Sequence, residues 1–471
     1  MTEPEELPAL QRRLSLAVIW IGLALSVLDT SIANVALPTL AGELHASASQ
    51  SIWVVNAYQV GMMTLLLPLA ACSEMLGYKR VYLTGMVVFA LASGICVVAN
   101  TLPVLAIGRG LQGVGAAGVM GMNAGLLRRI LPHRMMGKVL GANAVVIGAA
   151  TAAAPSIASI IVSLGGWRWL FAINAPFCLF TLAAGIAVLP ANELARRRFD
   201  WLGAVVNMVL FAALVTGADL VSRNANTGLG AALLLLAALC TGLAVRRGWR
   251  QPAPMFPVDL LRIPLFGLSI LTSSTSFCAA MIAGVAMPFL LQQGLHRDVL
   301  TTGLLLTPWP VATALASAVA GYLAVKTPSA ILNSAGLTVM AVGLFLLATM
   351  PPGVGDAGIV WRTALCGAGF GFFQSPNNRT MVLATPRARG GATGGAMATA
   401  RTTGQALGAV MVAFLFHLLP IGAAGRWCLA LAGALGVAAA VVSGFRLGHS
   451  LPSEKPQAAE IDAELEASAE A

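Results

Sequence analysis

The feature that most constrains this sequence is a recurring apolar run. A membrane helix needs about 20 apolar residues to cross the hydrocarbon core. Inside lipid each backbone N–H and C=O must be bonded within the chain, which leaves helices and closed barrels. Runs of this length, separated by charged or Gly/Pro/Asn-rich breaks, predict fourteen helices. They cover 14–38, 51–72, 80–99, 102–127, 138–163, 168–190, 201–222, 227–245, 264–291, 300–325, 329–350, 357–383, 391–419 and 426–446. The fold class that follows is an all-α polytopic membrane protein. Composition agrees: 58% of the 471 residues are hydrophobic and 10% charged, against about 45–50% and about 25% in soluble domains. A disordered chain, a fibrous repeat and an ordinary soluble enzyme are excluded.

The net charge of +10 raises the question of nucleic acid, but the basic residues have a topological explanation. Of 28 Lys and Arg, 21 fall at the run ends that share a side with the N-terminus, five fall at the opposite ends, and Arg109 and Arg401 lie inside runs. By the positive-inside rule this bias places both termini in the cytoplasm. A multi-pass protein of the cytoplasmic (inner) membrane is expected, with no nucleic-acid partner. The segment 1–13 is a polar cytoplasmic N-terminus. The first run is too long for a signal peptide and carries Asp29, so it is read as a retained helix. The tail 447–471 is acidic and Ala-rich and is expected to be a disordered cytoplasmic extension.

The longest cytoplasmic connections, 191–200 and 246–263, bracket the seventh and eighth runs. Six runs precede that pair and six follow it. This predicts an N-terminal six-helix bundle over 14–190, a linker with two extra central helices over 191–263, and a C-terminal six-helix bundle over 264–446. Transporters built from repeated halves have this organisation.

A charge at the bilayer centre costs about 2.5–3.5 kcal/mol on insertion scales, so the few intramembrane polar residues are informative. Asp29, in VLDTSIANVALP, is the best functional candidate, with Asn34 about a turn and a half later. Its carboxyl either exchanges a proton, balances a cationic ligand or makes a structural hydrogen bond. Asp219 lies near the outer end of its run and either takes part in function or snorkels to the interface. Arg109, in IGRGLQGVGAAGVM, needs a partner and either tunes a nearby acid or forms a fixed ion pair; Arg401, in ARTTGQALGAV, is a further candidate. Tyr58, Gln59, Gln112, Trp309, Phe373 and Gln374 are candidate pocket residues, since aromatic faces attract lipophilic cations. Gly113 and its neighbouring glycines, with Pro155 and its small neighbours, favour close helix packing. Pro155, Pro308 and Pro310 are expected to kink their helices.

Enzyme signatures are missing. The sequence holds no GxxxxGK[ST], no HExxH and no GxSxG. Seven cysteines lie singly within apolar runs with no CxxC, and five histidines are scattered at or near run ends. Neither a metal, a cofactor nor a disulfide framework is expected.

These motifs resemble the major facilitator superfamily, and within it the 14-span drug:proton antiporter branch, over residues 14–446. LDTSIANVALP (28–38) is similar to that branch's first-helix signature, and WVVNAY (53–58) resembles its second-helix pattern. ACSEMLGYKR (71–80) resembles the superfamily's gate motif, with Glu74 in the acidic position followed by Gly77, Lys79 and Arg80. IGRGLQGVGAAG (107–118) resembles the fourth-helix arginine motif, GGWRWLFAINAP (165–176) matches the branch's helix 5–6 junction, and FDWLGA (199–204) resembles its entry into helix 7. The fifth-helix antiporter pattern departs, because AATAAAPSIAS keeps Pro155 but replaces the glycines by Ala or Ser. The second-half gate, GYLAVKTPSA, is degenerate, and the tenth and thirteenth runs lack acids, which disfavours a dicationic substrate.

The resemblance implies a secondary active transporter and not an enzyme. It implies a monomer working by alternating access, with Asp29 coupled to protons and a small lipophilic, monocationic substrate such as a quaternary ammonium biocide or dye. A dedicated exporter of one metabolite or lipid-like molecule is the alternative, and a non-transporting membrane sensor a remote one.

Overall fold

In the computed structural model, residues 8–131, 133–190, 199–251, 256–324, 327–351, 353–386 and 389–448 are described, and the side chains of Glu74, Arg134 and Lys138 fall outside the described set. The described residues are helical with short connections. The fourteen expected runs each become a helical element. The first eight are α1 (Ala9–Glu43), α2 (Trp53–Leu76), α3 (Tyr78–Val98), α4 (Leu102–Ile130), α5 (His133–Gly165), α6 (Trp169–Ala172 continued by Asn174–Val188), α7 (Trp201–Ser222) and α8 (Thr227–Gly248). The others are α9 (Pro264–Phe289), α10 (Val299–Leu306 continued by Pro308–Leu323), α11 (Ser329–Ala348), α12 (Asp356–Leu383), α13 (Gly390–Leu418) and α14 (Ile421–Gly444).

Twelve of these elements are long and apolar enough to cross a membrane by length and composition. The other two, α12 and α13, are 28 and 29 residues long. Asn377, Asn378 and Arg379 dilute the first, and Arg401, Gln405 and a Gly/Thr-rich start dilute the second. The protein is therefore a multi-pass membrane protein.

Local chemistry sets several boundaries. Asp200, Asn226 and Asp298 accept from the backbone N–H three residues on and so start α7, α8 and α10. A capping box between Ser47 and Gln50 starts the one-turn helix that leads into α2. Gly77, at φ 98°, turns the chain between α2 and α3, in a backbone region that disfavours any side chain. The expected break in α10 falls at Thr307–Pro308, whereas α5 runs on through Pro155 as one helix.

The packing repeats with an offset of eight helices. α2 and α3 pack on α4, α1 packs on α5 and α6, and α3 packs on α6. Correspondingly, α10 and α11 pack on α12, α9 packs on α13 and α14, and α11 packs on α14. The two sets meet where α5 touches α10, α2 touches α13, and α1 touches α9. α7 lies against both α2 and α13, with α8 packed mainly on α7.

Backbone contact at two equivalent crossings makes this packing possible. A Cβ on Gly113 would stand 2.1 Å from the Tyr58 carbonyl oxygen, and one on Gly367 would stand 2.0 Å from that of Trp309. Each joins the fourth helix of a set to its second. Neither obstacle is a side chain that can swing away, so the helices themselves would have to part. Forcing extra carbons into packed sites typically costs about 1–3 kcal/mol. We therefore expect Gly113→Ala and Gly367→Ala to lower the thermal midpoint of the purified protein. Gly94→Ala, which meets no atom within 4 Å, should leave it unchanged; thermal unfolding in detergent reads all three.

Candidate functional site

Asp29 sits past the midpoint of α1 and is 3% exposed. Its carboxylate oxygen Oδ2 accepts from Arg109 Nη1 of α4 at 2.5 Å, and its Oδ1 accepts from Asn174 Nδ2 of α6 at 3.0 Å and from Gln112 Nε2 of α4 at 3.5 Å. Both members of the ion pair are essentially sealed from solvent, with side chains 1% and 2% exposed. Arg109 donates further to Gln112 Oε1 at 2.8 Å, to the Val54 carbonyl at 3.2 Å and to the Asp29 carbonyl at 3.5 Å. Ser93 of α3 accepts from Gln112 at 2.7 Å and from Asn174 at 3.4 Å. The guanidinium carbon stands 4.4 Å from the centre of the Tyr58 ring and 5.7 Å from that of Phe171. Tyr58 in turn donates to the Ser26 carbonyl at 3.2 Å.

The arrangement follows from desolvation. A lone carboxylate or guanidinium in this interior would lose its hydration with nothing in return. The planar guanidinium distributes donors to four acceptors at once, which an ammonium could not do. Chemically, the site gives one carboxylate an ionic partner on α4 and amide donors from α4 and α6.

Other candidates take different places. Gln112 belongs to this network, and Tyr58 forms its aromatic wall. Asp219 does not snorkel: it is 1% exposed and ion-paired to Arg223, one turn later at the C-terminal cap of α7, whose guanidinium faces the Trp53 ring at 6.0 Å. Among the described residues, Asp219 Oδ1 and both polar atoms of Asn56 make no hydrogen bond of good geometry, although Asn56 lies close enough to act on the Asp219 carboxyl. Trp53 and Arg223 border a groove of about 840 Å³ between α2 and α4, at the end of the protein opposite its termini. Phe373 is 1% exposed, at the α11–α12 crossing where a Cβ on Gly336 would meet its backbone nitrogen at 2.8 Å. Trp309 is partly buried where α10 crosses α12, and Gln374 is partly exposed on α12. In the gate motif, Lys79 donates to the Ile186 carbonyl at 2.7 Å and Arg80 is exposed; the Glu74 side chain lies outside the described residues.

Between the two helix sets, Gln59 of α2 donates to Gln405 of α13 at 3.4 Å. Asn34 of α1 comes close to α9, within 3.8 Å of where a Cβ on Gly284 would lie, and its Oδ1 is unpartnered. Arg401, one turn before Gln405, lies within electrostatic reach of Tyr58. Sequence reasoning missed Asn174, Ser93 and Asn56. Each is a polar residue in an apolar run, so the signal was present, but uncharged polar residues are too common in such runs to single out.

The family model of the Major Facilitator Superfamily matches residues 19–409, with a second match over 268–468. The chain belongs to the major facilitator superfamily. It is 43% identical over 448 residues to the uncharacterized transporter YebQ of Escherichia coli K12, covering 94% of this chain and 98% of that protein. At 28% identity it resembles the riboflavin transporter RibZ of Clostridioides difficile, covering 86% of this chain and 88% of the relative. It is also 28% identical to the multidrug resistance protein Stp of Mycobacterium tuberculosis, covering 84% and 74%. Among solved structures, a POT family transporter in complex with a thioalcohol-conjugated peptide superposes with a TM-score of 0.68 at 15% identity, covering 92% of this chain and 96% of that one. That likeness is one of fold. The protein is thus a transporter of this superfamily.

The geometry of the ion pair generates a stability prediction. Removing one partner of a buried pair strands the other and costs roughly 3–5 kcal/mol. Arg109→Gln should therefore unfold well below the wild type. The double variant Asp29→Asn/Arg109→Gln, which strands no charge, should recover a large part of the loss in the same thermal assay.

Proposed function

We propose that this transporter is a proton-coupled antiporter that exports small lipophilic molecules by alternating access, with Asp29 as the proton-carrying group. The observation that carries the reading is the sealed Asp29–Arg109 pair, flanked by two amides that donate to the same carboxylate. Protonation of Asp29 removes its attraction for Arg109. The guanidinium then retains Gln112, the Val54 carbonyl and the two aromatic faces. A single proton thereby changes the link between α1 and α4, and α1 is also a helix that reaches α9 in the other set.

In this reading the moving bodies are the bundles 14–190 and 264–446, joined by the segment 191–263 that carries α7 and α8. The repeated packing supports that division. The distribution of basic residues supports a cytoplasmic position for both termini, in an inner membrane. The bundles are pinned together at the end away from the termini. Ser49 donates to the Ala413 carbonyl at 2.8 Å, Ser156 and Thr307 share a hydrogen bond of 2.6 Å, and Gln292 donates to the Val35 carbonyl at 3.1 Å. These contacts correspond to a state shut on its outer side, and export requires them to open.

Multidrug export is supported by the likeness to Stp. A dedicated exporter of one metabolite is a second reading, supported by the equal identity to a riboflavin transporter.

Two experiments test the proposal. In inside-out vesicles with an acid interior, addition of substrate should release protons, read with a pH dye. Asp29→Asn should abolish that release while the protein remains in the membrane; coupling retained in full would remove Asp29 from the mechanism. Separately, the pair Ser156→Cys/Thr307→Cys should arrest transport on oxidation and regain it on reduction, because the disulfide would lock the outer contact.

A further inference from the structure

Among the described residues, the charges within the helix interiors do not balance, and the imbalance falls between the bundles. Two acids, Asp29 and Asp219, occupy the apolar interiors, and each already holds its own arginine, Arg109 and Arg223. Arg401 near the middle of α13 is different. Among the described residues it makes no ion pair and no hydrogen bond, and its side chain is partly exposed. Its position on α13 sets the direction it faces. Three residues before it, Ala398 packs on the cluster that contains Tyr58, Met62 and Leu66 of α2. Four residues after it, Gln405 bonds Gln59 of α2. Residues three and four apart share a helix face, so Arg401 looks from one bundle towards the other.

A guanidinium at this depth is expensive unless water or an anion meets it. Acceptors on the facing helices are short of partners as well: among the described residues, Gln59 Oε1 and Asn34 Oδ1 are buried without a hydrogen bond, and both are on helices that face the second bundle. Among the described residues the local charge is therefore one uncompensated positive, within electrostatic reach of Tyr58 and one turn from the Gln59–Gln405 bond. A lipophilic monocation would be repelled there. A lipophilic molecule with one carboxylate, sulfonate or phosphate would be held by a planar, bidentate donor while its ring lies on apolar and aromatic surface.

We propose that Arg401 is a substrate-recognition residue at the seam between the bundles and that the substrate is a lipophilic monoanion rather than the monocation expected from sequence. This rests on the reading of the protein as an exporter working between two bundles. It also changes the driving force, since one anion leaving against one entering proton moves two charges inward. Exchange of a cation for a proton moves none. Anion export should then depend on membrane potential as well as on the pH difference.

The test uses the full-length protein in detergent and a panel of matched aromatic probes, beginning with naphthalene-1-acetate and 1-naphthylmethylamine. These share a ring system and carry opposite charge. Binding is read by equilibrium dialysis of the radiolabelled probes. The wild type should prefer the anions at least tenfold. Arg401→Gln should abolish that preference, and Arg401→Lys, which keeps the charge without the planar fork, should retain part of it. Size-exclusion profiles identify any variant that fails to fold, and the wild-type preference alone then decides. Cations bound better than anions by the wild type, no anion bound across the panel, or anion binding untouched by Arg401→Gln would each overturn the proposal. Different readouts separate the two readings: proton release in vesicles reports on Asp29→Asn, and probe binding in detergent reports on Arg401→Gln. An Asp29→Asn variant that still couples while Arg401→Gln loses anion binding would sink the proton role and leave the recognition role standing.

Discussion

The buried ion pair between Asp29 and Arg109 is the constraint on which the first half of this protein is organised. Neither charge is tolerable alone in a low-dielectric interior, and the pair is stable only with its remaining lone pairs and protons satisfied. That requirement reaches well beyond two residues. Asn174 brings in α6, Ser93 brings in α3, and the Val54 carbonyl and Tyr58 ring bring in α2. Five helices thus converge on one carboxylate. The same feature that specifies the packing is the one whose protonation would alter it, so stability and the proposed function share a single set of contacts.

Close packing makes that convergence possible. Where α4 crosses α2, and where α12 crosses α10, a glycine lets one helix rest on a carbonyl of the other. Membrane helices gain no hydrophobic drive from meeting each other, so van der Waals contact and polar bonds have to hold them. The recurrence of this crossing eight helices later is the structural trace of a repeat that identity between the halves does not make obvious. The hairpin of α7 and α8 sits outside the repeat, leaning on α2 and α13 at the seam.

Charge is distributed unequally between the repeated halves. The first half spends its arginine on an internal acid and seals both. In the second half Arg401 has no such partner among the described residues, and it shares a helix face with Gln405, which bonds Gln59 across the seam. A membrane protein can keep an unpaired guanidinium at this depth only where water or a ligand reaches it. Asp219 is likewise buried and paired, but its partner Arg223, at the C-terminal end of α7, is partly exposed beside a groove that Trp53 borders.

Much of this was legible in the sequence. Lipid forces the backbone to bond locally, so the run lengths alone dictate fourteen helices, and the cost of charge in lipid alone marks Asp29, Arg109, Asp219 and Arg401. What the sequence could not decide is which of those residues meet. Asp29 and Arg109 are 80 positions apart, and Asn174 lies 145 positions from Asp29. The same one-dimensional signals placed Gln112 and Phe373 in a pocket, whereas packing turned the first onto Asp29 and the second into the α11–α12 crossing. Asp219 and Arg223, four apart, were within reach of a helical-spacing argument; Ser93 and Asn174 were not, because a hydroxyl or amide in an apolar run carries no cost large enough to stand out. Helix formation is local and dictated by solvent, so sequence determined it. Partner choice depends on the angles and distances at which helices cross, and only the tertiary structure decided that.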